Sequence, residues 1–174
     1  MKKIGVMFAL FALCSCASAP VVQLTETFDE AEAGKLMKDG KNTILGSAVW
    51  REKNGHIQKC SGYQVTLYPA TKYAEERMVA LYGSAERGSR EIGKDKVVFA
   101  PDELNFHQLS KKSVCDVDGK FEFENIADGD YIVETKIVWG NPEEPDMQTE
   151  GGKLIQKVSV KGGKKVKIVL SPSL

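Results

Sequence analysis

The sequence predicts a mainly β domain, a small β-sandwich of roughly seven strands with one short helical insertion. Three observations carry that prediction. The first is the stretch 115–139, CDVDGKFEFENIADGDYIVETKIVW. Asp118-Gly119 and Asp128-Gly129 punctuate it, and Asp-Gly is a strong tight-turn signal because glycine takes positive φ without a Cβ clash. Phe121 and Phe123 alternate with Lys120, Glu122 and Glu124, and Tyr131, Val133, Thr135, Ile137 and Trp139 keep the same period of two. A period of two marks strands with one buried face, so the stretch reads as strand, turn, strand, turn, strand. The second observation is a further alternating pair, 153–160 and 165–170, joined at Gly162-Gly163. The third is a change of period in 71–83, TKYAEERMVALYG, where Ala74, Met78, Leu81 and Tyr82 fall at the spacing of an amphipathic helix.

Composition bounds the rest. The chain has 174 residues, of which 42% are apolar and 28% charged, enough for one domain with a sizeable core. Its 24 basic and 24 acidic residues balance, and without Lys2 and Lys3 the count is 22 against 24. Nucleic-acid binding requires a basic surface, and this balance does not support it.

The first fifteen residues read as a signal peptide, with Lys2-Lys3 as a basic start, 4–13 as an apolar run too short to span a bilayer, and small residues after it. Leu13-Cys14-Ser15-Cys16 resembles a bacterial lipobox. The resemblance implies diacylglyceryl transfer to Cys16, cleavage before it and N-acylation; ordinary cleavage at Ala17-Ser18-Ala19 is the alternative. Cys14 is the less suitable acceptor, because Leu13 would then stand where a small residue is needed. The expected location is the cell envelope, the domain being anchored to the membrane through lipid. In a Gram-negative cell, Ala17 and Ser18 would favour the outer membrane, facing the periplasm.

Residues 16–42 read as a polar tether, with a short helix over about 28–37 suggested by the capping-box spacing at Thr27-Phe28-Asp29-Glu30. The sandwich is expected over 43–174, interrupted by an insertion over 69–114. Its first strand is 43–50, followed by a turn at Asn54-Gly55 and a second strand over 63–68, which Pro69 ends. Thr71 is placed to cap the inserted helix and Gly83 to end it. Residues 84–96 read as a mobile loop, 97–99 as a short strand, and 101–112 as a segment in which a short helix would carry Leu104 and Leu109. A Pro/Glu/Gly-rich loop over 140–152 precedes the final pair of strands.

Three pieces of this pattern together resemble a known family. They are Gly46-Ser47-Ala48-Val49 with Gly62-Tyr63-Gln64-Val65-Thr66-Leu67, then Asp116-Val117-Asp118-Gly119-Lys120-Phe121-Glu122-Phe123-Glu124-Asn125-Ile126, then Gly129-Asp130-Tyr131-Ile132-Val133. This is similar to the carboxypeptidase regulatory-like, prealbumin (transthyretin)-like domain. The resemblance covers 45–170 apart from the long link 68–114. It implies a prealbumin-like β-sandwich that serves as an accessory, stalk or binding module and carries no catalytic machinery. The family also includes carbohydrate-binding members that stack sugars on exposed aromatic rings.

Candidate chemistry is sparse. Cys60 and Cys115 are the cysteines beyond the leader, and export to an oxidising compartment predicts a disulfide between them. Two free buried thiols are the alternative, and a Cys60/Cys115/His56/His107 metal site would have unusual ligand spacing. Asp116-Val117-Asp118-Gly119 superficially resembles a calcium loop, but Lys120 and Phe121 break the ligand pattern, so a hairpin turn is expected. No Gly-x-Ser-x-Gly elbow or His-Glu-x-x-His motif occurs, and Glu75-Glu76 and Glu143-Glu144 read as solvated charge. Neither a catalytic residue nor a cofactor is expected. Of the aromatics Trp50, Tyr63, Tyr68, Tyr73, Tyr82, Tyr131 and Trp139, most are expected in the core, Tyr63 and Trp139 among them.

The helix surface with Tyr73, Arg77 and Tyr82 is the candidate interaction surface, with a lid over an open sheet edge as its simpler role. The expected function is a non-catalytic binding or assembly module, its partner an envelope protein or a glycan. An accessory lipoprotein of a secretion or surface-assembly machine is the alternative by fold analogy. A row of exposed aromatics would favour glycan binding.

Overall fold

The structure is a computed structural model that describes residues 19–94, 97–140 and 149–172. The stretch expected to be a leader, with Cys16, and the Glu143-Glu144 pair lie outside the described residues. The elements run β1 (Val21–Gln23), α1 (Glu30–Leu36), β2 (Asp39–Arg51), β3 (Ile57–Lys59), β4 (Gln64–Pro69), α2 (Lys72–Tyr82), β5 (Arg87–Glu91) and β6 (Val98–Ala100). They continue with α3 (Leu104–Gln108), β7 (Lys111–Val114), β8 (Lys120–Ile126), β9 (Gly129–Trp139), β10 (Glu150–Val160) and β11 (Lys165–Leu170).

Two sheets face each other. One has the order β5-β10-β9-β4-β7; in the other, β2 pairs with β11, β3 and β8. Ala48 of β2 donates its N–H to the Gly119 carbonyl and accepts from the Cys60 N–H, so β8 and then β3 follow one edge of β2 while β11 takes the other. Between the sheets lie Ile44, Val65, Leu67, Phe121, Phe123, Val133, Leu154 and Leu170, all buried. Period-2 alternation aims these side chains at the opposite sheet, and burying each one contributes about 2 kcal/mol. The mainly β sandwich expected from the sequence is therefore the architecture found.

Its strand pairing differs from a simple meander. The Asp116–Gly119 turn forms as expected: the Asp116 carboxylate accepts the N–H groups of Asp118 and Lys120 at 2.9 and 2.8 Å. But β7 pairs with β4 in one sheet and β8 with β2 in the other, so the turn carries the chain across the sandwich. The Asp128-Gly129 and Gly162-Gly163 turns do the same for β8–β9 and β10–β11. At these three turns the consecutive strands meet through their apolar faces, whereas β9–β10 and β2–β3 pair through their backbones.

A third layer covers the outer face of the larger sheet. Tyr68, Ile132 and Ile155 point outward from it and are buried against Tyr73, Ala74 and Met78 of α2, Phe106 of α3, and Phe99 of β6. Thr71 caps α2 by accepting the Ala74 N–H, and Gly83 ends it at φ 76°. The helix thus covers a sheet face and is no lid over an edge. In α3 the buried residue is Phe106, while Leu104 stays 78% exposed.

Residues 20–28, within the stretch 16–42 expected to form a tether, are docked onto this layer, while Leu36 and Met37 pack against the core between the sheets and β2 begins at Asp39. β1 pairs in parallel with β6, Leu24 is buried, and Phe28 packs on Tyr73 and Phe106. The Glu76 carboxylate accepts the N–H groups of Thr25 and Glu26 at 2.9 and 2.8 Å, which holds its pKa below the ordinary carboxylate value. α1 begins at Glu30 with Asp29 as its cap, two residues later than the spacing suggested. Residues 87–91, expected within a mobile loop, form edge strand β5 on β10.

Candidate functional site

The sandwich has two different ends, and the candidate site lies at the end where β2 and β9 finish. Trp50 and Trp139 are the penultimate and last residues of those strands. Their parity is inward, as for Ala48 and Ile137, but the strands run on past the core. The two indoles close its mouth with their rings half-buried. Ring centroids lie 6.1 Å apart at an interplanar angle of 59°. Around them opens a cleft of about 550 Å³, bordered by Arg51, Glu52 and Asn54 from the β2–β3 hairpin, Glu91 from β5, and Glu150 from β10. An apolar floor ringed by a few polar side chains is the usual constitution of a small-molecule site.

Local sequence explains the cleft's shape. Gly151 stands at φ 98°, and a Cβ there would lie 2.1 Å from the Ile137 carbonyl and 2.6 Å from the Trp139 ring. The missing side chain lets the indole settle against β10. The Glu52 carboxylate accepts from the Asn54 and Gln58 amides at 2.9 and 2.6 Å, which fixes the hairpin wall. The Tyr63 hydroxyl donates to the Val138 carbonyl at 2.8 Å and steadies the strand beside Trp139.

At a corner of the same end, Cys60 and Cys115 form the expected disulfide, with S–S 1.94 Å and Cα–Cα 5.7 Å. Neither sulfur is then available to a metal. His56 lies exposed in the β2–β3 turn, whereas His107 sits on α3 against Phe106 and Tyr68, so the structure does not bring the two histidines together. Burial, and then the Arg77 charge, lower the His107 pKa. Among the described residues, no group of three or more His, Cys, Asp or Glu side chains could hold a metal ion. No helix among them is long and apolar enough to cross a membrane.

The helix-surface candidates are corrected. Tyr73 is fully buried and Arg77 nearly so. The Arg77 guanidinium lies 4.0 Å from the Phe99 ring centroid and 4.8 Å from that of Phe106, ion-pairs with Asp102 at 2.6 Å, and donates to the Tyr73 hydroxyl at 3.1 Å. A buried cation is tolerable only with such partners, so this is an interior brace and no docking surface. Tyr82 is half-buried at the end of α2, its phenol pKa raised first by burial and then by the Glu134 carboxylate. The Glu75-Glu76 pair is structural as well: Glu75 bridges to Lys157 at 2.7 Å, and Glu76 holds the N-terminal segment. Sequence reasoning named both tryptophans but not their pairing. The available signal was that each closes its alternating run just before a turn-rich segment.

Fold and cleft together describe a β-sandwich with an open surface cleft at one end. No family model and no curated protein matches the chain. Its structure is similar to the crystal structure of a "putative carbohydrate binding protein" from Pseudomonas aeruginosa, at TM-score 0.67 and 25% identity. The match covers 84% of this chain and 98% of that one.

Proposed function

We propose that the domain is a carbohydrate-binding module of the prealbumin-like class, its ligand stacked in the Trp50–Trp139 cleft, and that Cys16 anchors it by lipid to the cell envelope. In a Gram-negative cell it would face the periplasm from the outer membrane. The observation that carries this reading is the pair of partly buried indoles that line a cleft with polar walls. A sugar ring presents polarised C–H groups on its face and hydroxyls at its edge. The electron-rich face of an indole suits the former, and the carboxylates, guanidinium and amide of the walls suit the latter. The description of the Pseudomonas protein as carbohydrate-binding supports the same reading.

The test is a titration of the detergent-solubilised, full-length protein with a panel of neutral and acidic oligosaccharides, read by tryptophan emission and calorimetry. At least one saccharide is expected to bind and to shift the emission. Trp50→Phe and Trp139→Phe, which keep most of the packing, should weaken it roughly tenfold through lost ring area. If no saccharide perturbs either indole, and cross-linking in cells captures one stoichiometric envelope protein, the glycan reading gives way to the assembly reading. Cys16→Ser should release the protein from membranes; sedimentation with them in detergent-free buffer would sink the anchor.

A further inference from the structure

The cleft continues past Trp50. A second lobe of about 690 Å³ shares Trp50, Arg51, Lys53 and Glu91 with the first and extends to the end of α2. Leu81 and Tyr82 line one wall of it. Among the described residues its charged lining comprises Arg51, Lys53 and Lys94, with Glu91 pairing Lys94 at 3.7 Å, and Arg90, which has a partner of its own. The whole chain carries no net charge, so this concentration of cations is a local feature and not a consequence of composition. The first lobe differs, with Glu52, Glu91 and Glu150 beside Arg51 and Lys53. Thus two lobes with four lining residues in common lie side by side, one with tryptophans edged by carboxylates and the other with an apolar wall faced by cations.

Resting on the carbohydrate reading of the first lobe, we infer that the ligand is an acidic oligosaccharide: a sugar unit stacks on Trp50 and Trp139, and an adjoining unit bearing a carboxylate or sulfate lies in the second lobe. Arginine offers a planar pair of N–H donors that matches such oxyanions, and lysine adds point charge. Low-dielectric walls such as Leu81 and Tyr82 focus that field into the groove.

Calorimetry with the full-length protein in detergent decides the point, using matched pairs of oligosaccharides: each uronate oligomer with its neutral methyl ester, and each sulfated oligomer with its unsulfated parent. The acidic member should bind roughly tenfold tighter at low salt, with the margin closing as added salt screens the lobe. A pair in which the uronate alone gains identifies carboxylate as the oxyanion, and one in which the sulfate ester alone gains identifies sulfate. Lys94→Gln, on the surface and lining the second lobe but not the first, should narrow the preference while leaving the neutral member's affinity unchanged. If every pair binds equally, or the neutral member binds better, the acidic-ligand inference is wrong; retained sensitivity to Trp139→Phe would then leave the carbohydrate reading standing. If no saccharide of either kind binds, both fall.

Discussion

The two ends of the sandwich are built on opposite plans. At the end where β2 begins, a fully buried Asn42 donates to the Ile126 carbonyl and the Asp128 carboxylate, each at 2.9 Å, and accepts the Lys164 N–H at 3.0 Å. Asp128 also accepts the Gly162 N–H at 2.9 Å, and the Tyr131 hydroxyl lies 2.8 Å from the Leu36 carbonyl. These polar groups are consumed within the protein, so three loops are sewn together and little is left to offer a ligand. At the other end the core is stopped by two partly buried indoles, and a disulfide braces one corner. An end meant to stay open needs stiffness that does not come from filling the gap; a covalent bond to one side and rigid rings across the floor supply it.

The largest expected effect tests the covalent brace. Cys60→Ala with Cys115→Ala removes a cross-link spanning a sequence separation of 55, which the chain-entropy model values at about 4 kcal/mol. Denaturant unfolding should show that loss together with weaker ligand binding; a change below about 1 kcal/mol would mean that packing alone holds the open end. Next comes the sewn end. Asn42→Ala leaves buried partners unsatisfied and should cost about 2–3 kcal/mol, with ligand affinity unaltered. A change in affinity of the same size would show that the two ends are coupled.

Glycines sharpen the contrast further. Gly151 and Gly162 both have positive φ, but a Cβ at Gly162 would meet nothing within 4 Å, whereas at Gly151 it would strike backbone and the Trp139 ring. Gly162→Ala should therefore cost only about 1 kcal/mol of strain, and Gly151→Ala about 2–3 kcal/mol with a measurable fall in affinity. Equal effects would show that the ring contact does not matter.

The smallest effect is in pH. Hydrogen bonds from Asn42 and then Gly162 favour the Asp128 carboxylate and lower its folded-state pKa. Its contribution to stability is thus fully present above about pH 4, the unfolded value, and is lost as pH falls through the folded one. Asp128→Asn should flatten that acid limb of the stability curve, and an unchanged limb would remove Asp128 from the network.

Much of this was legible in the chain. Alternation located β2, β4, β8, β9, β10 and β11 to within a few residues, because the side-chain period is a property of the extended backbone itself. Thr71 and Gly83 delimited α2, because capping depends on one residue's side chain or φ. Strand β5, RGSRE, gave no signal: it has no apolar alternation and gains its order by bonding to one edge of β10. Tyr73 and Arg77 were misplaced because an arginine marks a surface unless rings and a carboxylate happen to enclose it.

Sequence by itself located the longer alternating strands, their turns and the caps of α2, all of which follow from local stereochemistry; the Cys60–Cys115 bond followed from expected export to an oxidising compartment and is present in the structure. Tertiary structure alone decided which strands share a sheet, since a turn of the same composition can lead to a hydrogen-bonded neighbour or across the core. It also decided the site. Trp50 and Trp139 lie on distant strands, and parity assigns both to the interior; only the point where the opposing sheets stop packing leaves them 6.1 Å apart and partly exposed.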